Sequence, residues 1–130
     1  MDRRPESIHI AYEDQEGIRL EIQVEEVGEK RIIRLIGRLD GTSMQQAEDV
    51  FIQLASSGIT HFIYDLSRLD YISSAGLRVM LLSVKKTRAA GGKLALYGLI
   101  DNVSEIFRIS GFSTIFTIVD SEAEALAYVS

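Results

Sequence analysis

An α/β fold built on a mostly parallel sheet is what this sequence predicts, and three observations carry the prediction. From about residue 32 onward, short apolar strands alternate with amphipathic helical segments, and each strand–helix–strand passage demands a crossover that makes its strands parallel. Ahead of that alternation, Ile18, Leu20, Ile22 and Val24 alternate strictly with Arg19, Glu21, Gln23 and Glu25, the period of a half-buried strand. The length, 130 residues, suits one domain able to bury its own core.

Taken in order, residues 1–17 form a polar N-terminal leader that holds the only proline, Pro5. Within it Ile8, Ile10 and Tyr12 alternate with His9 and Ala11, so a short extra strand is an option, and a role for Ile8–Tyr12 in a homodimer stays open. The domain proper is assigned to residues 18–130. Gly28-Glu29-Lys30 turns the first strand into the next, Ile32–Ile36, which makes an opening hairpin. Gly37 to Ser43 is a strand-to-helix loop with Thr42 or Ser43 as N-cap, and Ala47, Val50, Phe51 and Leu54 give the helix its apolar stripe before Gly58 ends it. Phe62–Leu66 is a central strand. A polar turn then leads to a helix from Ser74 to about Ala89, stopped by Gly91-Gly92. Lys93–Tyr97 is a strand, Asn102–Ser110 a short helix, Ile115–Val119 the last strand, and Ser121 caps a closing helix, Glu122–Val129. The expected total is about five strands and four helices.

Composition narrows the function. There is no cysteine, and His9 and His61 stand far apart, so thiolate and histidine-rich metal centres are disfavoured and no cofactor is implied. A net charge of −5 argues against nucleic acid, and Lys85, Lys86 and Arg88 are read as a solvated helix face. No apolar run approaches membrane-spanning length and no signal-peptide pattern opens the chain, so a cytoplasmic protein is expected.

The segment from Asp65 to Leu77 holds the candidate site. Two serines open a helix whose unpaired N–H groups favour an anion or a phosphate. Either Ser73 or Ser74 serves as N-cap, and a capping hydroxyl is also one that faces solvent. Ala75 and Gly76 are small enough for a partner's surface to approach the backbone. Asp40 and Asp65 end two strands at the edge where open parallel sheets place their sites. They either tie down loop N–H groups or act as paired carboxylates beside Ser74. Leu99 and Ile100 lie on the same edge, and one of them is expected at the surface. A serine hydrolase is disfavoured: Ile-Ser-Ser-Ala-Gly is no nucleophile elbow, and His61 begins the strand whose far end leads to Ser74.

Together these residues resemble the STAS domain of bacterial anti-sigma factor antagonists over about residues 20–128. The resemblance rests on Gly37-Arg38-Leu39-Asp40, Asp65-Leu66-Ser67, Ser73-Ser74-Ala75-Gly76-Leu77, Gly91-Gly92-Lys93-Leu94 and Ile109-Ser110-Gly111-Phe112, in that order. It implies a non-enzymatic binding module. In its unphosphorylated form this module captures an anti-sigma factor that is also a serine kinase, and a separate serine phosphatase reverses the modification. By the same resemblance Ser74 is the phosphorylated residue, with Asp40 and Asp65 close to it. Together with Ser73, the small Ala75 and Gly76, and Leu99 on the same edge, they make up the expected partner-binding surface. Ser73 departs from the family, many of whose members have Asp there. Two alternatives remain: a STAS signalling or scaffold module with a non-sigma target, and a small-ligand-binding STAS domain.

Overall fold

The computed structural model describes the backbone of residues 2–14 and 17–130 and the side chains of residues 2, 3 and 19–130. Its elements are β1 (Arg3–Asp14), β2 (Gly17–Val27), β3 (Lys30–Leu39), α1 (Met44–Ser56), β4 (His61–Asp65), β5 (Leu69–Ile72), α2 (Ser74–Ala89), β6 (Lys93–Tyr97), α3 (Asp101–Ile109), β7 (Thr117–Val119) and α4 (Glu122–Val129). The strands form one sheet in the order β1-β2-β3-β4-β6-β7, and β5 also pairs with β3. β1, β2 and β3 are antiparallel neighbours, while every other pairing is parallel.

The two sheet faces differ in content. On one, Leu20, Ile22 and Val24 of β2, Ile33 and Leu35 of β3, and Phe62 and Tyr64 of β4 pack beneath α1, α2 and α3, with Phe51, Met80 and Phe107 inserted from the helices. On the other, α4 covers a smaller cluster of Ile32, Ile63, Ala95 and Tyr97 through Ala125 and Val129. The Tyr64 hydroxyl, fully inside the larger cluster, pairs with the Ser83 hydroxyl at 2.7 Å, so the one long polar side chain of that core is satisfied.

Three expectations are revised. β1 runs over Arg3–Asp14, well beyond Ile8–Tyr12, because it pairs along nearly the whole of β2. The turn after Asp65 contains the strand β5: β3 pairs with β4 only through Arg34, and Leu69–Ile72 takes up the ladder over Gly37–Leu39. Gly37 makes that exchange at φ +110°, where a Cβ would stand 2.5 Å from the Arg19 carbonyl oxygen. The last strand is only Thr117–Val119. Phe112–Thr114 form a 3₁₀ turn that tucks Phe116 edge-on against Phe107 at 5.3 Å, which takes Ile115 and Phe116 off the strand line.

Candidate functional site

The end of β3, the end of β5 and the start of α2 are joined by backbone. Leu39 lies opposite Ile72 in the parallel ladder, and the Ser73 N–H donates to the Leu39 carbonyl at 2.9 Å. Ser73 is extended (φ −98°, ψ 177°), and its hydroxyl accepts from the Gly76 N–H at 3.3 Å. Ser73 is therefore the N-cap, and Ser74, the first helical residue, is exposed. Among the described residues, nothing hydrogen-bonds the Ser74 hydroxyl. The two serines have divided the roles that the sequence left shared between them.

Gly76 has a different role from the one expected. It is buried, and a Cβ on it would meet the Leu39 carbonyl oxygen at 2.7 Å, Ile72 Cγ1 at 2.7 Å and Leu39 Cγ at 2.9 Å. Its smallness lets α2 sit down on β3 and β5, not a partner on α2. Ala75, half-buried beside the exposed Ser74, keeps its place on the outer side.

Asp40 begins the loop from β3 to α1. Its Oδ1 accepts from the Thr42 N–H at 2.9 Å and the Thr42 hydroxyl at 2.6 Å, and its Oδ2 lies 3.7 Å from Arg38 Nε. Burial works against its charge, yet these two hydrogen bonds and the nearby Arg19 and Arg38 outweigh it and hold the carboxyl below its usual range. The Arg38 guanidinium lies over the Tyr71 ring, 4.4 Å from its centre, which gives this edge an exposed cation next to the anion. Ser43 is fully buried and caps nothing with its side chain. Its hydroxyl donates to the Arg38 carbonyl at 2.7 Å and accepts from the Asp40 N–H at 3.2 Å, which draws the loop shut.

Asp65 does not join Asp40. It stands opposite Tyr97 in the ladder, on the face of the sheet that α4 covers, and is only 8 % exposed. Its Oδ1 accepts from the Ser67 N–H and hydroxyl at 2.9 and 2.6 Å, and its Oδ2 forms an ion pair with Arg34 Nε at 3.2 Å. Arg34 also binds Glu25 at 3.0 Å and Glu122 at 2.9 Å, and Arg3 on β1 bridges the same two glutamates at 2.6 and 3.3 Å. Arg3 first, then Arg34, holds Glu25 well below the usual carboxylate range. Asp65 thus ties a loop and anchors an ion-pair network across the far face. The paired-carboxylate option falls away, because strand alternation sends the two aspartates to different surroundings.

The neighbouring β6–α3 loop is held by Gly98 (φ +79°), where a Cβ would stand 2.8 Å from Ser67 Cβ, and by Asn102 Nδ2 donating to the Asp70 carbonyl at 3.0 Å. Leu99 packs partly buried against the main core, whereas Ile100 is 38 % exposed, so Ile100 is the apolar residue this loop shows to solvent. His61 bonds Thr60 at 2.9 Å at the first residue of β4, the opposite end of that strand from the Asp65–Ser74 segment. The side chain of His9 lies outside the described residues.

Comparison with known proteins agrees with this geometry. The STAS domain family model matches residues 21–125. BtrV of Bordetella bronchiseptica, named as a candidate anti-sigma factor antagonist, is 38% identical over 110 residues, which cover 84% of this chain and 95% of the relative. The anti-sigma-B factor antagonist of Listeria monocytogenes is 32% identical over 71% of this chain and 81% of its own. Among solved structures, a protein of Thermotoga maritima named as a candidate anti-sigma factor antagonist superposes with a TM-score of 0.79 at 22% identity, covering 83% of this chain and 93% of that one. The anti-sigma factor antagonist SpoIIAA in its unphosphorylated form superposes at 0.71 with 26% identity, over 81% and 92% of the two chains. The Bacillus SpoIIAA in its phosphorylated form gives 0.67 at 26% identity, over 84% and 99%. With its fold, its helix-start serines and four-fifths of its length in register, the chain belongs to the STAS domain family.

Proposed function

We propose that this chain is an anti-sigma factor antagonist, a binding module switched by phosphorylation of Ser74. Unphosphorylated, it captures an anti-sigma factor that is also its serine kinase, and the sigma factor goes free. Phosphorylation ends the capture, and a serine phosphatase restores it. The carrying observation is the split between the serines: Ser73 is occupied as a cap, and Ser74 stands exposed with an unbonded hydroxyl. Relatives named anti-sigma factor antagonists, and a structural neighbour solved in both unphosphorylated and phosphorylated form, support the reading.

The physics of the switch follows from the site. A phosphate adds about −1.5 to −2 charges. The N-terminus of α2 tolerates an anion, so the fold survives. A partner packed over Ser73, Ser74, Ala75 and the Asp40 loop must instead bury or pair that charge, a penalty of several kcal/mol, enough to empty the complex. The chain supplies no chemistry of its own: it is ligand and substrate. It works in the cytoplasm, where sigma factors act. Among the described residues β1 ends the sheet with an unpaired edge, through which two copies would dimerise, and sedimentation velocity of the purified chain checks that assembly. The functional test is binding of the cognate anti-sigma factor to wild type, Ser74→Ala and Ser74→Glu by calorimetry. Wild type and Ser74→Ala bind and Ser74→Glu loses at least tenfold in affinity; equal affinity for all three contradicts the proposal.

A further inference from the structure

Arg78 stands one turn after Ser74 on α2, exposed, and among the described residues it has no hydrogen-bond or ion-pair partner. Residues four apart on a helix are neighbours, with Cβ atoms about 5–6 Å apart. Helical side chains also lean back toward the N-terminus, so Arg78 reaches over the turn that Ser74 begins. No residue of α2 competes for it. Of the chain's fourteen Lys and Arg residues, Arg78, Lys85, Lys86 and Arg88 lie on this helix, and none of the nineteen Asp and Glu does.

The carboxylates on the elements beside the first turn of α2 are already engaged or do not pair with Arg78. Asp40 is held by Thr42 and Arg38. Glu48 and Asp49 on α1 accept from the Gln45 side chain. Asp70 on β5 and Asp101 at the start of α3 are exposed, and neither pairs with Arg78. The other cation of this edge, Arg38, is occupied by Tyr71 and Asp40.

We infer that Arg78 is the intramolecular counter-ion of a phosphoryl group on Ser74, closing an i,i+4 phosphoserine–guanidinium pair across the first turn of α2. The inference rests on Ser74 being the acceptor and adds how the modified state is held. A guanidinium fork matches two phosphate oxygens, and the pair lies where the helix already favours negative charge. Phosphorylation then does two things at once. It places an anion on the face that the unmodified protein presents, and it takes Arg78 out of the cationic row on α2. The phosphorylated first turn becomes more ordered than the unmodified one.

The test uses the full chain with phosphoserine installed at position 74 during synthesis, so neither kinase nor partner is involved. The second ionisation of the phosphate is followed by phosphorus NMR between pH 4.5 and 8 in wild type, Arg78→Gln and Arg78→Lys. Pairing favours the doubly charged phosphate, so its pKa in Arg78→Gln rises by about 0.3 unit relative to wild type, the equivalent of an exposed i,i+4 ion pair of about 0.4 kcal/mol. Arg78→Lys recovers part of the difference, and 0.5 M salt erases it. Titrations of wild type and Arg78→Gln that superimpose at low salt overturn the inference. Such a result leaves the capture of a partner by unmodified Ser74 untouched. Conversely, failure of the chain to bind an anti-sigma factor does not alter these curves.

Discussion

Gly76→Ala separates a glycine kept for packing from one kept for partner access. The added methyl would stand 2.7 Å from the Leu39 carbonyl oxygen and from Ile72 Cγ1, and 2.9 Å from Leu39 Cγ. The two side-chain atoms have room to yield by tenths of an ångström. The carbonyl oxygen does not, because the Ser73 N–H holds it at 2.9 Å. Overpacking of this kind costs about 1–3 kcal/mol, and contact with a fixed backbone oxygen places this case in the upper half. Alanine's better helix propensity offsets about 1 kcal/mol. The net expectation is destabilisation by about 1–2 kcal/mol, read as a lower midpoint in equilibrium urea unfolding with an unchanged slope. The outcome that refutes the reasoning is a Gly76→Ala protein as stable as wild type or more so: α2 would then not rest on β3 as closely as described, and the glycine would be free for the surface.

Other outcomes follow from the same geometry. Ser73→Ala removes the cap of α2 and lowers stability by about 0.5–1 kcal/mol, the low end because its bond to Gly76 is 3.3 Å long, whereas Ser74→Ala stays within about 0.5 kcal/mol of wild type; paired urea titrations distinguish them. Arg34→Met strips the central cation from Glu25, Asp65 and Glu122 and costs about 2 kcal/mol by the same assay. Glu25 and Asp40 ionise more readily folded than unfolded, so their stabilisation is complete above their unfolded pKa values, given by the reference values 4.5 and 3.8, and is lost as pH falls through the lower folded ones. Stability followed by circular dichroism should therefore be flat near pH 6–7 and decline below about pH 4.5.

Much of this fold is legible in the residues. The alternation from Leu20 to Val24, the stripe of Ala47, Val50, Phe51 and Leu54, and the dense apolar run of β4 each find the burial their period implies. β5 is not legible, because four residues that include the exposed Asp70 become a strand only where β3 outruns β4 and offers an open edge. The network of Arg3, Glu25, Arg34 and Glu122 links the two ends of the chain, and no local pattern announces it. At the site, the sequence finds the exposed helix-start serine and the Asp40 loop. It misplaces Asp65, since which face a strand residue takes depends on neighbours supplied from elsewhere. It likewise takes Gly76 for surface when it is buried, because smallness says nothing about direction, and of Leu99 and Ile100 the structure leaves Leu99 half-buried and Ile100 exposed. The spacing of Arg78 from Ser74 is visible in the sequence, but its significance depends on both side chains being exposed and free of partners.

The most direct test of the central claim is to locate the phosphate. Wild type and Ser74→Ala, each incubated with ATP in lysate of the native cells, are digested and mapped by mass spectrometry. The account predicts one phosphate on Ser74 of wild type, none on Ser73, and none at this helix start in Ser74→Ala. Phosphate on Ser73, or none on wild type under conditions that phosphorylate other proteins, would contradict it.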